Sequence, residues 1–139
     1  MDKCIFCRIR DGEEGNAVFY RDEVCFVVAD KYPLSKGHML IISNKHYRDV
    51  TEVPDEEVSH MFIKARDLSK SVMEKLGAEG ANIGVNTGKA AGQVIFHFHI
   101  HVVPRYPEGG NLEGSFWNRM GKELSAREAE ELYALLSKK

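Results

Sequence analysis

The chain has 139 residues, 43% apolar and 29% charged, with a net charge of −2. That size and balance predict one globular domain, 1–139, able to bury a core without disulfides. The small net charge argues against a general nucleic-acid or anionic-membrane surface, and no run of about 18 apolar residues predicts a membrane span.

In chain order, the opening MDKCIFCRIRDG lacks the apolar stretch of a secretory signal, so a cytoplasmic location is expected. CIFCRIR predicts one or two helical turns. AVFYRD and VCFVVAD, split by Asp22-Glu23, predict a hairpin. DKYPLSKG reads as a loop, because Pro33 and Gly37 punctuate it. HMLIIS predicts a buried strand. Pro54 suits the first turn of a helix, and Asp55, Glu56 and Glu57 favour its positive end. That helix is expected to run to about Leu76. Val58, Met61, Phe62, Ala65, Leu68, Val72 and Leu76 mark its apolar face, and Gly77 ends it.

ANIGVN predicts a fourth strand, TGKAAGQ a glycine-rich loop, and VIFHFHIHVV a fifth and longest strand stopped by Pro104. PEGGNLEGS is loop. SAREAEELYALL predicts a last helix, with Ser125 and Glu128 as a capping box. Strands joined by short links, then helix, then strands and helix, predict an α+β fold. It has a five-stranded, mostly antiparallel sheet, one long helix and a C-terminal helix.

FHFHIHVVPR carries three of the chain's six histidines. In a strand, His97, His99 and His101 share one face, about 6.5 Å apart, and Phe96, Phe98, Ile100 and Val102 share the other, the expected core side. Three readings compete. The strand is merely half polar; alternate histidines chelate a metal; or neutral imidazoles act directly as nucleophile and donor. Spacing alone does not separate the last two. The loop NTGKAAGQ lets backbone N–H groups approach an anion, but its spacing is not that of a P-loop. His38 stands at a loop-to-strand junction beside Gly37.

Cys4 and Cys7 form C-x-x-C, a zinc half-site or a redox pair. The redox reading needs a βαβ context that the sequence does not offer. The zinc reading needs two more ligands. Cys25 reads as a small buried apolar residue.

HFHIHVV resembles the His-x-His-x-His-x-x signature of the histidine triad family. CIFCRI, VVAD, KGHMLIISNKH, the N-TGKAAGQ loop and VVPR extend the resemblance across roughly residues 4–106, leaving 107–139 as a C-terminal extension. The resemblance implies a hydrolase of dinucleoside polyphosphates or nucleoside phosphoramidates, working through a nucleotidyl-histidine intermediate and releasing a nucleoside monophosphate such as AMP. A purine-nucleotide-binding regulator with little turnover is the alternative. His99 resembles the nucleophile, His101 a donor to the phosphate and leaving group, and His38 a further histidine of the phosphate site. Asp30 resembles the carboxylate on the ribose hydroxyls. Asn86, Gly92 and Gln93 resemble phosphate-side contacts, and Phe6 and Ile9 an apolar slot for the base. The zinc-bearing branch of the family implies a structural zinc on Cys4, Cys7, His46 and His97. Family members are typically homodimers joined sheet edge to sheet edge. Two features depart from the pattern. Val94 stands where many members carry Ser or Thr, and the region around Trp117 matches no motif.

Overall fold

The computed structural model describes residues 3–15, 17–107 and 123–137. Five strands, β1 (Val18–Arg21), β2 (Cys25–Ala29), β3 (Met39–Ser43), β4 (Gly80–Gly84) and β5 (His99–Arg105), form one sheet in the order β1-β2-β3-β5-β4. Every neighbouring pair is antiparallel. Among the described residues, three α-helices accompany the sheet: α1 (Ile5–Arg10), α2 (Asp55–Leu76) and α3 (Ala126–Ser137). The fold is the α+β arrangement expected, with a sheet that is wholly rather than mostly antiparallel.

Both faces of the sheet centre are covered, so β2 and β3 are buried at every position. Alternation divides their side chains. Val27, Met39, Ile41, Phe98, Ile100 and Val102 meet Met61, Ala65 and Leu68 of α2. Phe26, Val28, Leu40 and Ile42 meet Phe6 and Ile9 of α1. Leu40 stands opposite His101 and Ile42 opposite His99, which places both histidines on the α1 side.

The long helix follows its predicted stripe through Met61, Ala65, Leu68 and Val72, but Phe62 is turned outward and 41% exposed. Its neighbour Met61 already fills the core position on that turn. Pro54 is the N-cap rather than a first-turn residue, and Gly77 closes the helix in the left-handed conformation, φ 75°. Ser125 and Glu128 form the predicted reciprocal cap of α3: the Glu128 N–H donates to Ser125 Oγ, and the Ser125 N–H to Glu128 Oε1.

The fifth strand departs most from its pattern. It starts at His99, not at residue 94, and Phe96 lies 41% exposed instead of in the core. It also continues through Pro104 to Arg105. β3 pairs with β5 only as far as Val102, so beyond that point β5 has one open flank where a residue without an N–H is tolerated. Among the described residues no helix is long and apolar enough to cross a membrane. Trp117 lies outside the described residues.

Candidate active site

His99 and His101 project from β5 into a cavity of about 470 Å³ on the α1 face of the sheet. His99 Nδ1 lies 2.7 Å from the carbonyl of His97. A carbonyl only accepts, so Nδ1 carries the proton and donates it, and the neutral ring keeps its Nε2 lone pair. Burial pushes the His99 pKa down, against the opposing hydrogen bond to that carbonyl. The neutral, nucleophilic form is therefore the one favoured at pH 7. Phe6 packs edge-on against the ring at 4.9 Å between centroids and holds its plane.

A second chain of hydrogen bonds fixes His101. The Leu34 backbone N–H donates to His38 Nδ1 at 3.0 Å. His38 therefore carries its proton on Nε2, which lies 2.9 Å from His101 Nδ1. His101 Nδ1 must accept, so its own proton sits on Nε2, on the far side of the ring. His38 itself is behind His101 and does not line the cavity. Asp30 Oδ2 lies 3.5 Å from His38 Nε2. Asp30, His38 and His101 could be imagined around a cation. A metal on His38 Nε2 would need a deprotonated, anionic ring, because Nδ1 is already an acceptor, so the trio fits a hydrogen-bond chain instead.

All six residues expected at a nucleotide line this one cavity: Asp30, Asn86, Gly92, Gln93, Phe6 and Ile9. Their polar atoms are partly spent already. Asp30 Oδ1 accepts the Tyr32 N–H at 2.8 Å, which is the turn-forming role open to any Asp after a strand. Gln93 is buried, and its amide donates to the carbonyls of Arg48 and Ile95 while accepting the Gly88 N–H. Asn86 donates to the Gly92 carbonyl at 3.3 Å. Gln93 and Asn86 therefore brace the glycine-rich loop from inside. Gly92 takes φ 95°, a conformation that favours glycine, directly before Gln93. Sequence reading missed Ile5, Val28, Leu40 and Ile95, which complete the apolar wall. The alternation of β2 and β3 carried a signal for Val28 and Leu40, since both fall on the face opposite the α2 core.

On the other side of His97 lies a four-residue cluster. Cys4 Sγ is 3.4 Å from His46 Nδ1 and 3.2 Å from His97 Nδ1, and Cys7 Sγ is 3.4 and 3.6 Å from the same two atoms. A tetrahedral zinc with Zn–S near 2.3 Å and Zn–N near 2.0–2.1 Å sets its S···N edges at about 3.5 Å. The observed spacings fit that ion. His97 Nε2 donates to the Ser43 carbonyl at 2.7 Å, which turns Nδ1 toward the cluster. Burial pushes the His97 pKa down to about 4, keeping the ring in its neutral, ligating form. Cys4 also caps α1, accepting the Cys7 N–H at 3.2 Å. The triad is thus split: the His97 ring faces the thiols, while His99 and His101 face the cavity.

A model of the HIT domain matches residues 11–108. Over 105 residues the chain is 43% identical to the adenylylsulfatase HINT3 of Arabidopsis thaliana, covering 76% of this chain and 53% of that protein, so it spans about half of that relative's length. Among solved structures it is similar to a hypothetical histidine triad nucleotide-binding protein of Sulfolobus tokodaii, at TM-score 0.84 and 31% identity, covering 96% of this chain and 89% of that one. It is also similar to a Zn-bound histidine triad family protein from Mycobacterium smegmatis, at TM-score 0.80 and 34% identity, covering 97% and 91%. With its fold, its triad and a domain match over most of its length, the chain belongs to the HIT family.

Proposed function

We propose that this protein is a nucleotide hydrolase in which His99 attacks the α-phosphorus of the substrate, displaces the leaving group to form a nucleotidyl-histidine, and passes the nucleotidyl group to water as a nucleoside monophosphate. The observation that carries the reading is the hydrogen bond from His99 Nδ1 to the His97 carbonyl, which leaves Nε2 as a positioned nucleophile at the cavity. When Nε2 bonds to phosphorus the ring becomes cationic, and the same carbonyl then stabilises the charged ring. His101 Nε2–H is oriented by His38 to bond a phosphate oxygen as negative charge builds there. Asp30 accepts the ribose hydroxyls, Phe6 and Ile9 with the other apolar residues grip the base, and the loop braced by Asn86 and Gln93 presents Gly92 to the phosphate. An apolar wall takes any purine, and AMP is the product expected from adenylate substrates.

Cys4, Cys7, His46 and His97 would hold a structural zinc that fastens α1, and with it one cavity wall, to the sheet. Thiol ligands suit a reducing, cytoplasmic setting. We take the chain to be a homodimer joined through the edge strand β4, where Ile83 is 43% exposed; a monomer in sedimentation would remove that part of the reading. Because one relative is an adenylylsulfatase, a mixed anhydride of adenylate and sulfate is the first substrate to test, beside diadenosine polyphosphates. Acid-quenched intact mass should show a nucleotidyl adduct in the wild type and none in His99→Ala, with AMP accumulating only in the former. Tight AMP binding without turnover of any substrate would instead support a nucleotide-binding regulator.

A further inference from the structure

Resting on the proposed zinc assignment, we infer that Cys4 and Cys7 are an oxidation site. A peroxide converts them to a disulfide, withdraws two of the four donors around the ion, and so loosens one wall of the cavity. The two sulfurs are already side by side. Cys4 is the N-cap of α1, extended at φ −65° and ψ 161°, and its sulfur accepts the Cys7 N–H at 3.2 Å. Both sulfurs reach the same two nitrogens, His46 Nδ1 and His97 Nδ1, and all four ligand atoms lie within 4.8 Å of one another. Residues one helical turn apart are neighbours, and side-chain rotation can bring such a pair to the S–S distance of about 2.05 Å.

Access singles out one member of the pair. Cys4 is half-buried beside the exposed His46, whereas Cys7 lies beneath it and Cys25 is sealed in the core. A peroxide in solvent therefore meets the Cys4 sulfur first. The Cys4 thiolate attacks one peroxide oxygen, the O–O bond breaks, and Cys4 becomes a sulfenic acid as hydroxide leaves. The Cys7 thiolate then attacks Cys4 Sγ, the S–OH bond breaks, and a second hydroxide leaves. Each sulfur has given one electron, and the peroxide ends as two waters after two protons are taken from solvent. His46 and His97 alone remain as donors, too few for a structural zinc.

The two residues between the cysteines carry the change to the cavity. Ile5 and Phe6 both line it, and the Phe6 ring lies 4.9 Å from that of His99 and 5.8 Å from that of His97. Among the described hydrogen bonds, the other polar ties of α1 to β1 and to the end of β3 are at its far end. Arg10 Nη1 donates to the Asn44 carbonyl, and Arg21 Nη1 donates to the Arg10 carbonyl. Oxidation therefore frees the end of α1 that bears Ile5 and Phe6.

The test treats the purified, zinc-bearing protein with hydrogen peroxide. About one zinc per chain should pass to a chromogenic chelator. Two of the three thiols should be lost. The tryptic peptide Cys4–Arg8 should become two hydrogens lighter, with Cys25 still open to alkylation after denaturation. Amides of α1 should exchange faster, and AMP should bind about tenfold more weakly, the scale of one aromatic contact. Dithiothreitol with added zinc should reverse every change. Zinc that stays bound, or a sulfinic acid on Cys4 in place of the bridge, overturns the inference. So does unchanged α1 exchange or unchanged AMP affinity once the bridge has formed. A protein isolated without zinc overturns the metal assignment and the oxidation site with it. Failure of the reduced, zinc-bearing protein to bind AMP overturns the nucleotide reading instead, and the zinc, mass and exchange readouts still decide the oxidation site.

Discussion

Replacing Cys4 with Ser tests the proposed metal cluster and the fold at once. Cys4 Sγ is within 3.4 Å of both histidine Nδ1 atoms, and no other described group can take its place in that tetrahedron. A hydroxyl is a poor zinc ligand, so the variant should lose the ion. Metal that binds only the folded chain adds RT ln(1 + [Zn]/Kd), about 2.7 kcal/mol at a hundredfold excess over Kd and about 4.1 at a thousandfold. For a domain between the 100- and 150-residue classes, each kcal/mol moves Tm by about 4 °C. Calorimetry in zinc buffers should therefore raise the wild-type Tm by about 10–15 °C from zinc-free to saturating conditions, and leave Cys4→Ser unmoved. Metal analysis should give about one zinc per wild-type chain and none in the variant. The structure also says where the loss is felt. α1 carries Cys4 at its cap and Cys7 within it, together with Ile5, Phe6 and Ile9 of the cavity wall, so apo protein should expose α1 first to hydrogen exchange. A wild-type Tm indifferent to zinc and chelator, with equal metal content in both proteins, would refute the assignment.

Two further predictions concern the scaffold. Asp22 caps the β1–β2 turn and accepts from Tyr20, His60 and the backbone N–H groups of Val24 and Cys25. Burial alone would raise its pKa, but these donors prevail and hold the carboxyl well below the usual range. A depressed folded pKa adds stability that is fully present above the unfolded value near 3.9 and is lost as pH falls from there through the folded value; Asp22→Asn should therefore be about 2 kcal/mol less stable than wild type at pH 7, with a gap that narrows steadily as pH falls below about 4 in urea titrations, and a gap that stays constant with pH would refute the assignment. Gly37 precedes His38 with φ 89°, and a Cβ there would come within 2.5 Å of Leu76 Cδ1; Gly37→Ala should cost about 1–3 kcal/mol in urea denaturation, and a loss below about 0.5 would show that the turn relaxes freely.

What was legible followed from periodicity and local chemistry. The α2 stripe, the hairpin, the Ser125–Glu128 cap and the shared face of His99 and His101 each depend on neighbours within a few residues, so a single sequence holds them. The strand order was not legible, because the exchange of β5 and β4 at the sheet edge is decided by long-range pairing. Phe62 and Phe96 were misassigned for one reason: an apolar residue fits the periodic pattern whether or not the neighbouring layer has room for it. The orienting partners of the site were invisible in principle. They are the backbone carbonyls of His97, Ser43 and Arg48 and the backbone N–H of Leu34, groups that every residue possesses. Gln93 shows the reverse case. The family resemblance implies a phosphate-side place for it, and no motif could have shown that its buried amide also holds the loop together through three backbone partners.

The late start of β5 is tied to the chemistry of the site. The alternating pattern predicts a strand from residue 94, and an ordinary ladder would spend each carbonyl on a neighbouring strand. Instead the Phe98 N–H donates to the Tyr47 carbonyl, the Ser43 N–H donates to the Phe98 carbonyl, and the His97 carbonyl is left to accept from His99 Nδ1. Withdrawing residue 97 from the ladder frees both ends of one residue. Its ring turns toward Cys4 and Cys7, and its carbonyl selects the tautomer of His99. A histidine kept in regular strand geometry would have its carbonyl committed to β3 or β4, and His99 would lack the acceptor that fixes its proton on Nδ1. The break in the strand is thus the feature that turns three equivalent imidazoles on one face into a ring facing the thiols and two rings facing the cavity.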